Sequence, residues 1–209
     1  GYFYFEADKA EGLKLGDVVT YTVQGYDEEE YKKKYGVKFS QTSKEYTVEG
    51  IESYVMENTA LDDAAVNIMK EATEQYIDEY FADPNRESAL GVDDLKYEGY
   101  YLLTNKQSEV WFNYNKIFMV YSATVSSKEK PKAFKPAKVF FPVEYDDLKQ
   151  NADGGYEVDT SYKRILGSNE LTYSSWLSVS GYTSMDVMRS ELVDAEGSTF
   201  EAAAYGDLA

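Results

Sequence analysis

Residues 95–104 have the sequence LKYEGYYLLT and residues 109–125 have the sequence EVWFNYNKIFMVYSATV, with the polar tetrapeptide NKQS between them at 105–108. The first stretch is rich in tyrosine and leucine, and the second contains valine, phenylalanine and tyrosine. Tyrosine, valine and phenylalanine favour β-strands. Two such stretches joined by a short polar turn predict an antiparallel hairpin. Similar stretches follow at 138–145, 156–162, 171–180 and 199–205. We therefore expect a mostly antiparallel, sandwich-like C-terminal part.

The N-terminal part combines strand and helix patterns. Alternation of valine and threonine predicts a strand at 17–24, and a second strand is expected at 44–48. Between them, Asp27 has the position of an N-cap for a short helix from Glu28 to Tyr35, which ends at a glycine. The N-terminal part is therefore predicted to be α+β.

A long amphipathic helix is predicted at 60–82. Thr59 and Asp62 have capping-box spacing, and Pro84 ends the pattern. Apolar residues recur at spacings of three and four, at Leu61, Ala65, Ile68, Ala72, Tyr76 and Tyr80. Ile68 is central in this stripe, so the pattern predicts that Ile68→Ala costs roughly 2 to 5 kcal/mol.

The polar, turn-rich stretch 84–94 (PNRESALGVDD) is the predicted boundary between two subdomains. It separates an N-terminal α+β subdomain, residues 1–83, from a β-rich C-terminal subdomain, residues 95–209. The whole chain is therefore expected to belong to the α+β class.

Composition excludes several kinds of chemistry. The 209 residues contain no cysteine and no histidine, so imidazole and thiolate catalysis, disulfides, iron–sulfur clusters and histidine-ligated metals are excluded. We expect no cofactor and no metal. The net charge of −17 disfavours nucleic acid as a partner, because the phosphate backbone would be repelled. The oligomeric state is left open.

Aromatic residues are the strongest candidates for a binding site. The chain has 21 tyrosines, and rings with a polar edge suit both sugar stacking and protein contact. The candidate ligand-binding residues in the C-terminal part are Trp111, Tyr114, Tyr173, Trp176 and Tyr182. Strand propensity and core packing are the alternative explanation for these residues.

Carboxylates are the catalytic groups present in quantity. The doublets Asp62–Asp63, Asp93–Asp94 and Asp146–Asp147 could supply the acid and base of a glycan hydrolase. Each doublet lies at the edge of a predicted element, where aspartate also acts as a cap or turn residue. The lysine-rich stretch 128–138 (KEKPKAFKPAK) is interpreted as a solvated loop. Binding of an anionic polymer and pairing with the acidic body of the same molecule are the alternatives.

The sequence also bears on location. The chain begins at Gly1 without methionine, so we expect that a leader or anchor preceded it, and no apolar stretch long enough to insert in a membrane is present. YEGYYLLTNK at 97–106 and NKIFMVY at 115–121 resemble segments of uncharacterised exported or membrane-anchored proteins of low-GC Gram-positive bacteria. The resemblance implies an extracytoplasmic location. The expected function is a non-enzymatic binding module of a bacterial cell surface, for a glycan or peptide, with a carboxylate-dependent glycan hydrolase as the alternative.

Overall fold

The computed structural model describes residues 3–13, 16–50, 53–107, 110–151, 153–167, 171–173 and 178–209. The chain forms two compact units. The N-terminal unit is Gly1–Ser53 with Asn151–Gly154, and the C-terminal unit is Tyr54–Gln150 with Gly155–Ala209. The α+β class with a strand-rich C-terminal part is confirmed.

The N-terminal unit contains an antiparallel sheet of β1 (Tyr4–Ala7), β2 (Val18–Gln24) and β3 (Ser43–Thr47), in the order β1-β2-β3. Helix α1 (Glu28–Tyr35) follows β2. The Asp27 side chain accepts a hydrogen bond from the Glu30 N–H at 2.9 Å, and Gly36 ends the helix with φ 69°. The predicted cap, helix and strands of this region are therefore confirmed to within a residue or two.

The C-terminal unit is built on a five-stranded antiparallel sheet. Its strands, in spatial order, are β10 (Arg164–Ile165), β7 (Ala137–Asp146), β6 (Asn115–Ser127), β5 (Leu90–Asn105) and β13 (Phe200–Gly206). The predicted hairpin corresponds to β5 and β6, which pair from Leu90↔Ser127 to Thr104↔Asn115. The strand predicted at 199–205 is observed as β13, which pairs with β5 at one edge of the sheet.

The remaining elements of the described chain are short, apart from one long helix. The helices are α2 (Asp63–Ala82), α3 (Pro84–Ala89), α4 (Met185–Leu192) and a 3₁₀ turn (Asp194–Glu196). The two-residue strands are β4 (Ser53–Tyr54), β8 (Lys149–Gln150), β9 (Tyr156–Glu157), β11 (Leu171–Thr172) and β12 (Ser178–Val179). The strands predicted at 156–162 and 171–180 are thus much shorter than expected.

The core of the C-terminal unit occupies both faces of the five-stranded sheet. Alternate residues of β6 point to opposite sides: Met119 and Tyr121 pack in a cluster with Met69 and Ile77 of α2, whereas Val120 packs in a separate cluster that includes residues of α4. Because β6 is buried on both faces, its sequence is a nearly continuous apolar run. The central hairpin is therefore the element on which both clusters are built.

The predicted division of the chain differs from the observed one. Residues 84–94 are not a linker: they form α3 and the start of β5. Helix α2, predicted to belong to the N-terminal part, is in the C-terminal unit. The reason is that α2 buries its apolar face against the large sheet, and the Thr73 hydroxyl lies 2.8 Å from the hydroxyl of Tyr145 on β7. Polar composition alone did not distinguish a short helix from a linker.

The buried stripe of α2 also differs from the predicted one. Its buried residues are Ala65, Met69, Thr73 and Ile77, whereas Ile68 is 46% exposed. The N-cap is Asp62 rather than Thr59, and its carboxylate accepts from the Ala65 N–H at 2.7 Å. Thr73 completes a regular i, i+4 series, but it is a polar residue, so an apolar pattern search excluded it. The predicted central position of Ile68 is therefore wrong.

Candidate functional site

One face of the N-terminal sheet carries apolar side chains with little cover. Val19, Tyr21 and Val23 alternate along β2 and therefore lie on the same side of the sheet. The strand register places Phe5 beside Val23 and Tyr46 beside Val19 on this side. Phe5 is 62% exposed, and Tyr21 and Tyr46 are also exposed. We call this surface the apolar face.

The apolar face forms the floor of an open groove of about 760 Å³. Among the described residues that line it, Lys44 alone has a charged side chain, and its ammonium group lies 4.6 Å from the centre of the Tyr46 ring. The lining residues are Phe5, Leu13, Val19, Tyr21, Val23, Phe39, Ser40, Gln41, Thr42, Ser43, Lys44, Tyr46 and Val48. The groove can therefore hold apolar side chains, and its few polar groups lie mainly along the segment that leads into β3.

Phe39 connects this groove to a second depression of about 750 Å³ beside α1. Its ring centre lies 4.9 Å from that of Phe3 and 4.6 Å from that of Tyr26, both in edge-on geometry. The Tyr26 hydroxyl accepts a hydrogen bond from the Phe39 N–H at 3.1 Å. These contacts fix Phe39 at the junction, so the two depressions share a rigid aromatic wall.

The aromatic residues predicted from sequence are not assembled into one site. Tyr173 and Tyr182 are both buried, but Tyr173 belongs to the cluster beneath α2 and Tyr182 to the cluster beside α4. Burial raises the pKa of Tyr173; burial and a hydrogen bond to Glu191 raise the pKa of Tyr182 to about 12. Trp176 lies outside the described residues. Tyr173 and Tyr182 are therefore core residues in two separate clusters, and neither is exposed as a ligand-binding ring.

Trp111 and Tyr114 lie on the loop between β5 and β6. The Trp111 side chain is 94% exposed. Tyr114 stacks on Tyr54 with ring centres 3.7 Å apart, and its N–H donates to Asp147 Oδ1 at 2.8 Å. The loop is held at its base because the Asn105 side chain donates to the Asn113 carbonyl at 3.0 Å. Trp111 is therefore presented on an anchored loop, but it does not share a ring stack with Tyr114.

The structure shows local structural roles for one aspartate in each of the three doublets. Asp62 caps α2, and Asp94 and Asp147 have φ of 58° and 52°, a left-handed conformation typical of turns and bulges. Burial and the neighbouring Glu144 and Asp147 raise the pKa of Asp146. Glu144, however, is bound by Arg164 at 2.7 Å. The expectation that these doublets act as caps and turns is confirmed for Asp62 and Asp147, whereas Asp94 lies within β5 at a shift in the strand register.

Glu98 is the carboxylate most enclosed by partners. It lies at a bulge in β5, and its oxygens accept from Ser122 at 2.6 Å, Lys96 at 2.7 Å and Lys138 at 2.9 Å. Burial opposes ionisation, but these donors hold the pKa of Glu98 at about 2. Glu98 is thus a fixed anion within a charge network and a poor proton donor near neutral pH. Lys138, from the lysine-rich stretch, is bound within the molecule.

The described part of the chain offers no group of three or more acidic side chains arranged to hold a metal ion. Nor does it contain a helix with the length and apolar character needed to cross a membrane. No protein-family model, curated protein or solved structure matches the chain. The residues of the apolar face and its groove are therefore the features from which a function can be inferred.

Proposed function

We propose that this chain is a non-enzymatic binding module that acts outside the cytoplasm, on a bacterial cell surface, and binds polypeptide in the groove of its N-terminal unit. The observation that carries the proposal is the contrast between exposed and buried apolar residues in this unit. Among the described residues, nine of the fifteen large hydrophobic side chains that are exposed belong to it. Large contiguous apolar surfaces of this kind are typical of interaction sites.

A polypeptide ligand fits the lining of the groove better than a glycan does. Sugars require several hydrogen-bonding partners around the stacked ring, whereas the floor of this groove consists of valine, phenylalanine and tyrosine side chains, and the polar lining residues other than tyrosine all belong to the single segment 40–44. Tyrosine combines a large apolar area with few rotatable bonds, which favours protein contact. A glycan hydrolase has less support, because Glu98 is held ionised by three donors and Glu144 is bound by Arg164.

The proposed location rests on the sequence. The absence of cysteine is common among exported proteins of Gram-positive bacteria, and the segments 97–106 and 115–121 resemble such proteins. A protein at the cell surface encounters exposed polypeptide segments of its neighbours, which is the class of ligand that the groove suits. Location and ligand are separate parts of the proposal, and they are tested separately.

The binding function is tested by selecting displayed random peptides on the full chain and measuring their affinity for two matched variants. Tyr21→Asp places a charge on the apolar face, whereas Val18→Asp places one on the opposite side of the same strand, where Val18 is also exposed. We expect Tyr21→Asp to weaken binding by at least about tenfold, since the aromatic contact surface is lost and the new carboxylate, although it lies across from Lys44, would have to lose water when a ligand covers the face. We expect Val18→Asp to leave it unchanged.

Selected peptides that bind both variants as they bind the parent chain would contradict the proposal. So would a glycan array in which a sugar binds and the Tyr21→Asp variant still retains it. Location is tested by fractionating the native organism: a purely cytosolic protein would contradict that part and leave the groove proposal intact.

A further inference from the structure

We infer that the bound polypeptide adds to the N-terminal sheet as a fourth strand beside β3, and that its side chains alternate between apolar residues over the groove and basic residues on the other side. The inference rests on the proposed function and specifies its ligand. Three observations support it: the free backbone edge of β3, the different side chains on the two faces of that strand, and the charge of Glu45.

The backbone of β3 has an unpaired edge among the described strands. In the sheet order β1-β2-β3, the described neighbour of β3 is β2. The Val23 N–H donates to the Thr42 carbonyl and the Val48 N–H donates to the Asp17 carbonyl, each at 2.8 Å. In an antiparallel ladder such bonded pairs alternate. The N–H and C=O groups of Ser43, Glu45 and Thr47 therefore point away from β2, where a new strand can bind them.

The side chains of β3 determine what such a strand must carry. Lys44 and Tyr46 point into the groove, since they pair with Tyr21 and Val19. Glu45 points to the opposite side, because successive residues of a strand alternate. An added strand would continue the apolar face with its groove-side residues, while the residue across from Glu45 would contact a carboxylate. Apolar and basic residues in alternation satisfy both requirements.

A second copy of this chain is a poorer occupant of the same edge. Suppose that two copies pair their β3 strands antiparallel, with the backbone groups of Ser43, Glu45 and Thr47 in each strand bonded to the other. The centre of this pairing is then Glu45. This register places Glu45 of one chain directly opposite Glu45 of the other, and like charges in that position are destabilising. The net charge of −17 adds to the repulsion between copies. A basic strand from a different protein has no such opposition.

The inference is tested with a capped heptapeptide of alternating valine and lysine, titrated into the full chain and followed by amide chemical shifts. A peptide of the same composition with its valines and lysines in separate blocks is the control. Two further versions of the alternating peptide are N-methylated at every second amide: one at the odd-numbered amides and the other at the even-numbered amides. Strand addition requires only one of these sets to bond β3. We therefore expect one methylated version to lose about tenfold or more in affinity, since two or three hydrogen bonds are removed, while the other binds like the parent.

A charge exchange provides a second readout that leaves the fold intact. In Glu45→Lys, the preference between the valine–lysine peptide and a valine–glutamate peptide should shift towards the glutamate peptide, with each affinity changing about two- to fivefold, as expected for one cross-strand pair. The largest shift changes should fall at Ser43, Glu45 and Thr47. An unchanged preference would overturn the assignment of a basic partner strand.

The outcomes separate this inference from the function on which it rests. If the valine–lysine peptide binds, is lost in Tyr21→Asp, and tolerates both methylation patterns, strand addition is wrong and binding in the groove stands. Absence of saturable binding up to about 1 mM would also overturn the strand inference, whereas the displayed-peptide selection decides the proposed function by itself. Equal binding of the alternating and block peptides would count against strand addition, because only the alternating order matches the two faces.

Discussion

The C-terminal unit buries apolar side chains on both faces of its five-stranded sheet, whereas the N-terminal unit leaves one face of its three-stranded sheet open. Val19 and Tyr31 are the fully buried hydrophobic residues among the described part of the N-terminal unit. Around them lie Phe5, Tyr21 and Tyr46, which are exposed. Aromatic content is therefore a poor guide to burial in this chain, since the two units use similar residues in opposite ways.

The difference has a thermodynamic consequence. A unit of roughly 50 residues buries a smaller fraction of its surface than a larger one and is correspondingly less stable. The apolar face increases this disadvantage, because Phe5, Tyr21 and Tyr46 keep much of their surface in water after folding. A ligand that covers the face would stabilise the folded unit by mass action. The open face is thus both the weakness of the N-terminal unit and the basis of its proposed function.

The largest expected effect is a difference in hydrogen-exchange protection between the two units. Amides at the centre of β6, such as Met119 and Val120, should exchange at least about a hundredfold more slowly than those at the centre of β2, because they open only with the main core. Exchange measured by NMR or mass spectrometry on the full chain tests this. Equal protection in β2 and β6 would show that both units unfold together, and it would contradict the lower stability expected for the N-terminal unit.

The second prediction concerns two isoleucines of α2 that differ in exposure. Ile77→Ala should cost roughly 2 to 5 kcal/mol, because Ile77 is buried beneath α2. Ile68→Ala should cost about 1 kcal/mol or less, because nearly half of that side chain is already in water. Denaturant unfolding of both variants tests the pair. A larger loss for Ile68→Ala than for Ile77→Ala would show that the sequence-derived stripe was correct after all.

Much of the fold was predictable because local signals agree with tertiary packing. Asp27 and Gly36 delimit α1 in the sequence as in the structure, and the turn predicted at 105–108 begins at Asn105, where β5 ends. The register of α2 was not predictable from apolar spacing. Thr73 is buried because its hydroxyl meets that of Tyr145, and a partner 72 residues away in sequence leaves no local pattern.

The candidate site was less predictable than the fold. Strand propensity describes Tyr21 and Tyr182 equally well, yet Tyr21 lies on the open apolar face and Tyr182 is buried in the α4 cluster. The deciding factor is whether a second layer covers the sheet, and that depends on distant parts of the chain. A usable signal was present: aromatic residues are dense in the first 50 residues, which contain too few aliphatic residues to form a core around them.

The third prediction tests the hydrogen bonds and ion pairs around Glu98 in the C-terminal unit. This charged cluster contrasts with the apolar floor of the groove. Glu98→Gln should destabilise the chain by about 1 to 3 kcal/mol near neutral pH, because three donors lose an ionised acceptor. The folded-state pKa of about 2 lies below the usual value of 4.5. The advantage of the parent is therefore present above pH 4.5 and is lost as the pH falls towards 2.

Unfolding of the parent and of Glu98→Gln at several pH values tests this dependence, with Glu201→Gln on β13 as a control in an exposed position. A stability difference that stays constant from pH 7 to pH 2 would contradict it, since the titration of Glu98 would then not be linked to folding.

The smallest effect is expected for Trp111→Ala. Trp111 projects into solvent from a loop whose base is held by Asn105 and Asp147, so its ring contributes little to packing. The change in the free energy of unfolding should stay within about 0.5 kcal/mol. Tyr182→Ala is the matched case: it removes a ring buried between the sheet and α4 and should cost roughly 3 to 5 kcal/mol. The two substitutions, at aromatic residues from the same sequence-derived set, would thus differ severalfold in their cost to the free energy of unfolding. A loss of more than about 1 kcal/mol in Trp111→Ala would mean that its ring is covered in solution.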